Sequence, residues 1–574
     1  MIGLLAATAA GRRAAADLAG RLPDARQYEG PVGVELPRAF AECDRLVVFL
    51  AVGATVRLLA PLLRDKAGDP GVVCVDEAGR FAVPVLGGHA GGANELADRI
   101  GELLGAVPVS TTATDAAGIP GLDTLDPLGW TAEGEVAAVT RAVLDGDPVR
   151  LVADRRYPLP ALPANVREDA APGAPVLRVS DRTAAVESAG APVLTLRPRD
   201  LVVGVGASRG ASAEEITALV DSVLAEAGLS RRSVTALATV DAKAEEPGIL
   251  AAAEALGVRL VTHPAEALAS IEVPNPSDAP LAAVGTPSVA EAAALATAPG
   301  GELLVPKRKS APAEAGAAPM ATAAVARRPV RGRLALVGLG PGARDLLTER
   351  ARNELRRASV VVGLDQYLDQ IRDLLRPGTR IESTGLGAEE ARARSAVRLA
   401  QQGHAVALIG SGDAGVYAMA SPALAEAGDD IDVVGVPGVT AALAAGSLLG
   451  APLGHDHVSI SLSDLHTPWE VIERRVRAAA EADLVVTFYN PRSRGRDWQL
   501  PKALAILSEH REPAATPVGV AHSVSRPDEW HTVTTLAEVD VRTVDMTTVV
   551  VVGNTASRRI AGRFVTPRGY RWQS

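Results

Sequence analysis

The sequence predicts a multidomain α/β protein, because its composition and its local patterns both favour alternating strands and helices. Of its 574 residues, 47% are hydrophobic and only 3% are aromatic, which suits repeated α/β units better than an aromatic-cored sandwich or barrel. Short apolar runs are repeatedly followed by glycine-rich turns and helical patterns, as in parallel sheets with crossover helices. At ~100 to 200 residues per domain, the length allows several such domains.

Charge and cysteine content exclude several classes of protein. The formal net charge of -10 argues against a nucleic-acid partner, since phosphate neutralisation requires a clustered cationic face. The two cysteines, Cys43 and Cys74, form neither a disulfide framework nor a metal cluster, and no metal site is predicted. No apolar run reaches the ~18 residues of a membrane span, and the apolar-then-basic start reverses the order of a secretory signal. We therefore expect a cytoplasmic protein with no membrane partner.

Residues 1–126 are predicted to form a first α/β domain. Apolar runs predict four strands, at Ile2–Ala6, Leu46–Leu50, Val72–Val75 and Val107–Ser110. Helical patterns predict three helices, at Ala9–Leu22, Ala54–Leu63 and Asn94–Gly101. This alternation predicts a parallel sheet connected by crossover helices.

Two loops of this first domain are candidate ligand sites. The stretch FLAVGATVRLLAPLL places Arg57 in the first turn of a helix, and VLGGHAGGANELADRI surrounds His89 with four glycines before the candidate N-cap Asn94 and Glu95. The glycines would let backbone amides approach a ligand and leave the imidazole exposed at the carboxyl edge of the sheet. The alternative is a flexible loop with a surface histidine. The functional interpretation makes His89 an acid/base group and Glu95 its partner or a ligand contact.

Residues 127–198 and 199–306 are predicted to form a middle subdomain and a second α/β domain. The middle subdomain has a predicted helix at Ala132–Leu144, predicted strands at Val149–Val152 and Val176–Val179, and no predicted chemistry. The following stretch, LVVGVGASRGASAEEI, is a strand, a glycine loop and a helix with a capping box of Ser212 and Glu215. A second loop, ATVDAKAEEPGIL, places charges such as Lys243 ahead of a helix, where a solvated cap is the simplest explanation.

These loops together resemble the cobalt-precorrin-5A hydrolase family of cobalamin biosynthesis. GGHAGGANELA and AVGATVR resemble its N-terminal domain, and GVGASRG, TVDAKAEEPG and VGTPSVAEAAAL resemble its C-terminal domain. The resemblance implies opening of a δ-lactone on a contracted tetrapyrrole, with loss of acetaldehyde. It makes His89, Glu95 and Lys243 candidate catalytic residues and Arg57, Asn94 and Arg209 candidate substrate-binding residues. The family's C-terminal glycine loop commonly carries a cysteine where this chain has Ala207 and Ser208, so no thiol nucleophile is expected there.

Residues 307–331 are predicted to be a linker. The segment is dominated by alanine and proline and is flanked by basic residues. Low complexity without bulky apolar side chains predicts a chain that buries no core. The two halves of the protein are therefore expected to be separate enzymes joined by this segment.

The stretch Leu334–Thr348, LALVGLGPGARDLLT, begins the second half as a strand followed by a glycine loop. Gly338, Gly340 and Ala343 satisfy the dinucleotide fingerprint literally, and Asp365 lies near the next strand. A nicotinamide oxidoreductase is therefore an alternative function. Pro341 argues against it, because proline removes one backbone N–H from the turn that would cradle a pyrophosphate.

Two further loops favour a different cofactor. ALIGSGDAGVYAM and VVGVPGVTAALAAGSLLG each follow an apolar strand with a glycine-containing turn. Loops from neighbouring parallel strands meet at one edge of a sheet, so the three loops predict a cleft of backbone groups for a folded small cofactor. From His457 a second subdomain is predicted, in which Arg492, Arg494, Arg496 and Lys502 follow an apolar strand. This cluster is either a solvated loop or a site for a polycarboxylate.

The second half resembles precorrin-3B C17-methyltransferase, of the class III tetrapyrrole methyltransferases, through GLGPGARDLLT, GSGDAGVYAM, PGVTAALAA, SLSDLHTPWE, FYNPRSRGRDWQL and VGNT. The resemblance implies a tetrapyrrole-methylase fold of two subdomains, 332–454 and 455–574, with S-adenosylmethionine between them. It implies these cofactor-binding residues: Gly340, Pro341, Gly342, Ser411, Gly412, Asp413, Val416, Tyr417, Thr440, Ala441, Tyr489, Thr548, Gly553 and Asn554. The AHSVSRPDEW stretch departs from the family pattern.

The two resemblances predict a bifunctional corrin-ring enzyme. Methyl transfer depends mainly on positioning, whereas the coupled ring contraction needs an acid or base, for which Asp464 and His466 are candidates. The expected substrate is a tetrapyrrole polycarboxylate, precorrin or cobalt-precorrin, and the methyltransferase half is expected to form a homodimer. A further alternative is that the first half is a non-catalytic tetrapyrrole-binding scaffold.

Overall fold

The computed structural model describes residues 1–570 apart from 23, 65–67, 89–90, 124, 126–127, 129, 312–317 and 494. The chain divides into two compact units, Met1–Val330 with Arg376–Gly378, and Arg331–Leu375 with Thr379–Ser574. Strands and helices alternate through both units, so the predicted α/β class is confirmed.

The first sheet of the N-terminal unit has six strands. In spatial order they are Ala25–Gln27, Ile2–Ala6, Arg45–Phe49, Gly71–Val75, Phe81–Leu86 and Val107–Pro108. Its helices are Ala9–Arg21, Val32–Glu42, Val52–Leu59, Ala93–Leu104 and Ala113–Ala116. Phe81–Leu86 runs antiparallel to Gly71–Val75, so the prediction of a purely parallel sheet is wrong at this strand.

The middle sheet has five strands. In spatial order they are Thr131–Gly134, Val193–Arg197, Val176–Val179, Val149–Ala153 and Val166–Arg167, with one helix at Val136–Asp145. The predicted helix at Ala132–Leu144 is corrected at its start, because Thr131–Gly134 pairs antiparallel with Val193–Arg197. The helix begins only after this strand and buries Val139 and Val143 against the sheet.

The third sheet corrects the predicted linker. Its five strands are, in order, Arg259–His263, Val234–Val240, Leu201–Ala207, Ala321–Arg327 and Glu302–Lys309. Its helices are Ala213–Glu226, Pro247–Leu256, Ala265–Ala269, Asp278–Val284 and Ala290–Thr297. Ala321–Arg327 lies antiparallel beside Leu201–Ala207, and its residues from Ala323 to Ala326 are fully buried. Small side chains here pack closely against the helix Ala290–Thr297, so low complexity did not prevent burial.

The C-terminal unit begins with a five-stranded parallel sheet. In order, its strands are Arg380–Thr384, Val360–Leu364, Ala405–Gly410, Gly332–Gly338 and Ile431–Val436. Its helices are Glu349–Arg357, Asp365–Ile371, Glu389–Gln401, Ala420–Glu426 and Ala441–Leu449. Gly332–Gly338 is a central strand and pairs in parallel with both neighbours, as its continuous apolar run predicts.

The second sheet of this unit is mostly antiparallel. In order, its strands are His457–Ser461, Val485–Tyr489, Thr548–Val552, Pro517–His522 and Trp530–Thr535, with helices at Trp469–Glu481 and Gln499–Ser508. The same unit also contains a small three-stranded sheet. In spatial order its strands are Gly450–Ala451, Arg563–Val565 and Arg558–Ile560. His457–Ser461 is parallel to Val485–Tyr489, so both strands end at the same edge.

Candidate functional site

Three glycine loops meet at the carboxyl edge of the parallel sheet in the C-terminal unit. They follow the adjacent strands Ala405–Gly410, Gly332–Gly338 and Ile431–Val436. A Cβ atom on Gly438 would lie only 2.1 Å from the carbonyl oxygen of Gly412, and one on Gly338 only 2.7 Å from the same oxygen. Side chains larger than hydrogen would therefore push the loops apart, which explains glycine at these positions.

The first two loops are hydrogen-bonded to each other through their backbones. The N–H of Gly340 donates to the carbonyl of Gly412 over 3.0 Å, and the N–H of Gly412 donates back over 2.7 Å. Gly340 has φ of +75°, a left-handed conformation that favours glycine. This bridge fixes Gly340, Pro341 and Gly342 beside the loop that carries Ser411 and Gly412.

Asp413 connects the second loop to the third. One carboxylate oxygen accepts the N–H of Gly415 at 2.8 Å, and the other accepts the N–H of Gly438 at 3.0 Å. The N–H of Val416 donates to the backbone carbonyl of Asp413, so this loop forms a tight turn. Asp413 is therefore engaged in holding the loops, and its carboxylate is not a free ligand group.

Tyr489 brings the second subdomain to these loops. Its hydroxyl lies 2.6 Å from the hydroxyl of Thr440 and accepts the N–H of Ala442 over 2.8 Å, at the start of the helix Ala441–Leu449. Burial raises the pKa of the Tyr489 hydroxyl, so it stays protonated and can also donate. The structure thus brings Thr440, Ala441 and Tyr489 together as predicted.

Tyr417 forms an exposed aromatic wall beside Tyr489. Its ring centroid lies 5.1 Å from that of Tyr489, and its hydroxyl donates to the carbonyl of Ser459 over 2.8 Å. Tyr417 is 53% exposed and has φ of +53°. A tyrosine held in this uncommon backbone conformation indicates that the loop presents this side chain at some conformational cost.

The segment Ser523–Arg526 also reaches the first loop, and the sequence analysis did not assign it a role. The Arg526 guanidinium donates to the carbonyl of Pro341 over 3.0 Å and to the Ser411 hydroxyl over 3.4 Å. The Ser525 hydroxyl accepts the N–H of Ala343 over 3.0 Å. The departure of AHSVSRPDEW from the family pattern was the available signal that this segment differs here.

The last predicted cofactor residues are divided between two edges. Thr548 is buried at the edge where Val485–Tyr489 ends, because Phe488 lies opposite Val550 in the antiparallel pair. Gly553 and Asn554 follow the other end of the same strand, where the N–H of Gly553 donates to the carbonyl of Pro517. Gly553 and Asn554 therefore lie at the opposite edge of this sheet from Thr548. The Asn554 side chain caps a local turn by accepting hydrogen bonds from Ala556 and Ser557.

His522 is a polar residue at the Thr548 edge that the sequence analysis missed. Its Nδ1 lies 3.3 Å from Asp545 Oδ1, and its Nε2 lies 3.4 Å from Asp528 Oδ2. The imidazole stacks on Trp530 with centroids 5.5 Å apart. The two carboxylates, one at each ring nitrogen, fix the orientation of the imidazole.

The predicted polycarboxylate cluster is partly engaged with the protein itself. Arg492 donates to the carbonyls of Val541 and Arg542, and Arg496 donates to those of Leu462 and Asn490. Lys502 lies over the ring of Trp498, 4.5 Å from its centroid, while position 494 lies outside the described residues. Nearby, Asp464 accepts the side-chain N–H of Gln499 over 2.9 Å, and His466 is exposed. These groups share the edge of the sheet at which Ser461 and Tyr489 end.

In the N-terminal unit, the direction of Phe81–Leu86 changes the position of the glycine-rich loop. Residue 89 itself lies outside the described residues. Leu86 pairs with Val72, so the loop after it lies at the amino edge of the parallel strands. The sequence had predicted the carboxyl edge. A Cβ on Gly91 would lie 2.7 Å from the N of Gly71, which shows that close backbone packing accounts for part of the glycine content.

The predicted residues around this loop do not converge with Arg57. Arg57 is on the helix Val52–Leu59, which follows the carboxyl end of Arg45–Phe49, and it donates to the carbonyl of Gly53. Asn94 is not the N-cap, because Gly92 takes that position with φ of +68°. Its side chain instead donates to Thr112 and Asp115 at 3.1 and 2.6 Å, while Glu95 is exposed on the same helix.

Lys243 has an ionic partner of its own. Its ammonium donates to Glu246 over 2.9 Å, and the other Glu246 oxygen accepts the N–H of Gly210 over 2.8 Å. The hydrogen bond from Gly210, supported by Lys243 and by the charge of Arg209, lowers the pKa of Glu246. The capping box is formed only in part, since Ser212 accepts the N–H of Glu215 but the Glu215 carboxylate bonds Ser310 and Met320.

The described part of the chain lacks disulfides, clusters of metal-ligating side chains and helices that could span a membrane. Cys43 and Cys74 are both buried and unbridged. Residues outside the gaps contain no group of three or more metal-ligating side chains. In the same residues, no helix combines the length and apolar character needed to cross a bilayer.

The glycine loop after Gly332–Gly338 leads into a three-residue 3-10 helix, Arg344–Leu346, and not directly into an α-helix. The next α-helix begins at Glu349, where Thr348 caps it by accepting the N–H of Ala351 over 3.2 Å. A dinucleotide site requires helix N-terminal amides at the glycine turn itself. The structure therefore disfavours the nicotinamide alternative.

Comparison with known families and proteins places the second half of the chain. Residues 333–540 match the model of tetrapyrrole (corrin/porphyrin) methylases. Over 240 residues the chain is 46% identical to a probable cobalt-factor III C(17)-methyltransferase of Salmonella typhimurium, an overlap covering 41% of this chain and 99% of the relative. The chain belongs to the tetrapyrrole methylases.

Other relatives and one solved structure are also similar to this chain. This methylase is 41% identical over 234 residues to a precorrin-3B C(17)-methyltransferase of Sinorhizobium sp, covering 40% of this chain and 91% of the relative. Some longer relatives match over 248 residues that make up only 46% or 48% of their own length. The crystal structure of the methyltransferase CobJ aligns with 38% identity over 41% of this chain and 100% of that chain, with a TM-score of 0.40.

The first half of the methylase matches a second family in two parts. Residues 35–115 match the N-terminal model of cobalamin synthesis G, and residues 201–326 match its C-terminal model. Both family resemblances predicted from the sequence are thereby confirmed, and the chain is an enzyme of cobalamin biosynthesis. The second match extends into Ala321–Arg327, the strand that replaces the predicted linker.

Proposed function

We propose that the C-terminal unit transfers a methyl group from S-adenosylmethionine to C17 of precorrin-3B or cobalt-precorrin-3 and contracts the ring. The observation that carries this proposal is the meeting of three glycine loops with Tyr489 at one sheet edge. These residues fall within residues 333–540, which match the model of tetrapyrrole methylases. A relative's name supports the same reaction class without deciding whether the substrate contains cobalt.

The residues at the three loops fit this cofactor. The loops offer backbone groups and small or neutral side chains, and the Asp413 carboxylate is already bonded to Gly415 and Gly438. A folded cofactor with a purine, a ribose and an amino-acid end needs such a mixed cleft rather than a cationic phosphate cradle. Its holding residues would be Gly340, Pro341, Gly342, Ser411, Gly412, Val416, Tyr417, Thr440, Ala441, Tyr489 and Thr548. When bound, S-adenosylmethionine supplies an electrophilic methyl group.

The chain itself contributes positioning and proton handling. The Gly340–Gly412 bridge fixes two loops of the first subdomain, and the Tyr489–Thr440 contact joins that subdomain to the second. Fixed walls of this kind orient the reacting groups for methyl transfer. Ring contraction additionally requires a proton donor or acceptor. His522, between Asp528 and Asp545, can hold a proton at Nδ1 or Nε2 and joins Asp464 and His466 as a candidate. Arg492, Arg494, Arg496 and Lys502 remain the proposed contacts for substrate carboxylates.

We further propose that the N-terminal unit opens the lactone of cobalt-precorrin-5A and releases acetaldehyde. The two matches to cobalamin synthesis G support this activity. His89, Glu95 and Lys243 are the proposed catalytic groups, with Arg57, Asn94 and Arg209 as proposed substrate contacts. In this proposal a tetrapyrrole polycarboxylate is the substrate of both units. The C-terminal unit is also proposed to form a homodimer, which analytical ultracentrifugation would detect.

A second candidate for the N-terminal unit is a non-catalytic tetrapyrrole-binding scaffold. It is favoured by the pairing of Lys243 with Glu246 and by the separation of Arg57 from the glycine-rich loop across the sheet. These are arrangements that stabilise loops rather than collect catalytic groups. Acetaldehyde production distinguishes the two candidates.

Two assays test the proposals on the full chain. Incubation with S-adenosylmethionine and precorrin-3B or cobalt-precorrin-3 should add one methyl group to the tetrapyrrole, detected by mass spectrometry. Incubation with cobalt-precorrin-5A should release acetaldehyde. Methylation without acetaldehyde would support the scaffold candidate for the first unit. Calorimetric binding of NADH without binding of S-adenosylhomocysteine would overturn the methyltransferase proposal.

A further inference from the structure

A charged cavity lies at the carboxyl edge of the middle sheet, in a region for which the sequence predicted no chemistry. Its volume is about 370 Å³, at the lower end of the range of small-molecule sites. The charged residues that line it are Asp154, Arg155, Arg178, Asp181, Arg182 and Arg327. Asp154 and Arg155 follow the strand Val149–Ala153, and Asp181 and Arg182 follow its parallel neighbour Val176–Val179.

The floor of the cavity is buried and rigidly bonded. Arg327, at the end of the strand Ala321–Arg327, donates to both oxygens of Asp181 at 2.6 and 3.2 Å. The side chain of Asp181 is 2% exposed and that of Arg327 is 11% exposed. This bidentate pair neutralises itself, so it fixes the shape of the floor without attracting a ligand.

Arg178 supplies an unused hydrogen-bond donor. The residue is 7% exposed, its terminal nitrogens donate to Ala184 and Ser180, and one of them lies 3.8 Å from Asp154. Its Nε is buried and has no hydrogen-bond partner among the described residues. A buried guanidinium N–H without an acceptor is costly, so an acceptor from a ligand would remove that cost.

Positive charge exceeds negative charge around the cavity. Four arginines and two aspartates line the cavity. Asp200 lies 3.4 Å from Arg155, and when its charge is included the excess is still one positive charge. The nearest carboxylate to Arg182 is Asp181 at 3.9 Å, which is already paired with Arg327. The Arg182 side chain is 42% exposed and therefore lies at the rim.

We propose that this cavity binds a carboxylate group of a ligand, with Arg178 and Arg182 as its principal partners. Arginine N–H groups match the two oxygens of a carboxylate. Ligands of open α/β sheets bind outside the carboxyl ends of the strands, and the cavity occupies that position on the middle sheet. The carboxylate belongs either to an acidic side chain of a tetrapyrrole or to a small free acid.

Titration of the full chain at low ionic strength tests the proposal. Cobyrinic acid represents a corrin polycarboxylate, succinate represents a small acid, and binding is measured by calorimetry. The change Arg182→Gln should weaken binding by about tenfold, because a hydrogen bond to a charged group is lost. The change Asp154→Asn should strengthen it severalfold, because it removes a competing negative charge. Arg167→Gln is the matched control, since Arg167 is an exposed arginine of the same sheet that does not line the cavity.

The pattern of responses identifies the source of the carboxylate. If only cobyrinic acid binding responds to both changes, the ligand is a tetrapyrrole side chain, and if succinate binding responds, a small acid suffices. The proposal is overturned if the wild-type chain binds neither probe, or if the two cavity changes and the control give equal affinities. Asp154→Asn keeps the test decisive should Arg182→Gln fail to fold. The outcome is independent of methyl transfer, which is measured separately.

Discussion

Asp413 holds the N–H of Gly438 at 3.0 Å across two adjacent loops of the parallel sheet. The same carboxylate also accepts the N–H of Gly415 within its own loop. Asp413, which the sequence predicts to contact the cofactor, thus links the second and third glycine loops through its carboxylate.

Replacing Asp413 with alanine should weaken cofactor binding and destabilise the C-terminal unit. The change leaves two backbone N–H groups without their acceptor, at a cost of about 1–3 kcal/mol. Calorimetry with S-adenosylhomocysteine should show an affinity loss of about tenfold or more. Asp429→Ala, at an exposed carboxylate of the same unit, should change neither quantity. Equal affinities for the two variants would contradict the role given to Asp413.

Replacing Gly438 with alanine should force the second and third loops apart. The new methyl group would lie 2.1 Å from the Gly412 carbonyl oxygen, so overpacking should destabilise the unit by about 1–3 kcal/mol. Gly435→Ala is the matched control, because no atom lies within 4 Å of the position its Cβ would take. Thermal unfolding should separate the two variants. A Gly438→Ala chain as stable as the control would show that the loops are not packed as described.

Replacing Tyr489 with phenylalanine should lower cofactor affinity while preserving the aromatic wall. The change removes the acceptor for the Ala442 N–H and the contact with Thr440, a loss of about 1 kcal/mol. The affinity for S-adenosylhomocysteine should fall by about fivefold. Tyr367→Phe, in the core of the same unit, should leave it unchanged. An unaltered affinity in Tyr489→Phe would argue that its hydroxyl only stabilises the helix start.

Replacing Arg526 with glutamine should release the segment Ser523–Arg526 from the first loop. The guanidinium's charge-assisted bond to the Pro341 carbonyl is lost, so KM for S-adenosylmethionine should rise by about tenfold. The matched control is Arg542→Gln, an exposed arginine paired with Asp540. A change in kcat with constant KM would instead place Arg526 at the reacting atoms.

Stability of the N-terminal unit should depend on pH through Asp200. Burial, followed by the charge of Asp181, raises the pKa of Asp200 from 3.8 to about 6. The folded state then binds a proton more tightly than the unfolded state, so the free energy of unfolding should fall as pH rises from about 4 to about 6. The contribution is about 3 kcal/mol. Urea unfolding of Asp200→Asn should lack this component, whereas Asp169→Asn should keep it. Parallel pH profiles for wild type and Asp200→Asn would refute the assignment.

Sequence reasoning located the three glycine loops that meet at one edge of the parallel sheet, because each signal is local. An apolar run followed by glycines marks the end of a buried strand, and neighbouring parallel strands bring such ends together. Arg526 could not be found this way, since its partner Pro341 is 185 residues away in sequence. The same limit applies to the cavity, whose Arg327 and Asp181 are 146 residues apart.

Strand direction was the second limit. The sequence pattern of Phe81–Leu86 does not predict that this strand pairs with Gly71–Val75. It also does not predict the antiparallel direction, because side-chain alternation is the same for both directions. That single reversal moves the glycine-rich loop to the opposite edge of the sheet. The alanine-rich strand Ala321–Arg327 was missed for a related reason, since its burial depends on how closely a neighbouring helix packs.

The position of Ala321–Arg327 has a consequence for how the chain acquires its structure during synthesis. Leu201–Ala207 leaves the ribosome long before the strand that lies next to it, so one side of a central, apolar strand stays unpaired while the intervening residues are made. Domains generally fold in order from the N-terminus, but the domain that contains the third sheet cannot complete its fold until Ala321–Arg327 has been synthesised. Exposed strand edges invite pairing with other chains. Co-expressed chaperones should therefore matter more for this third sheet than for the two sheets made before it.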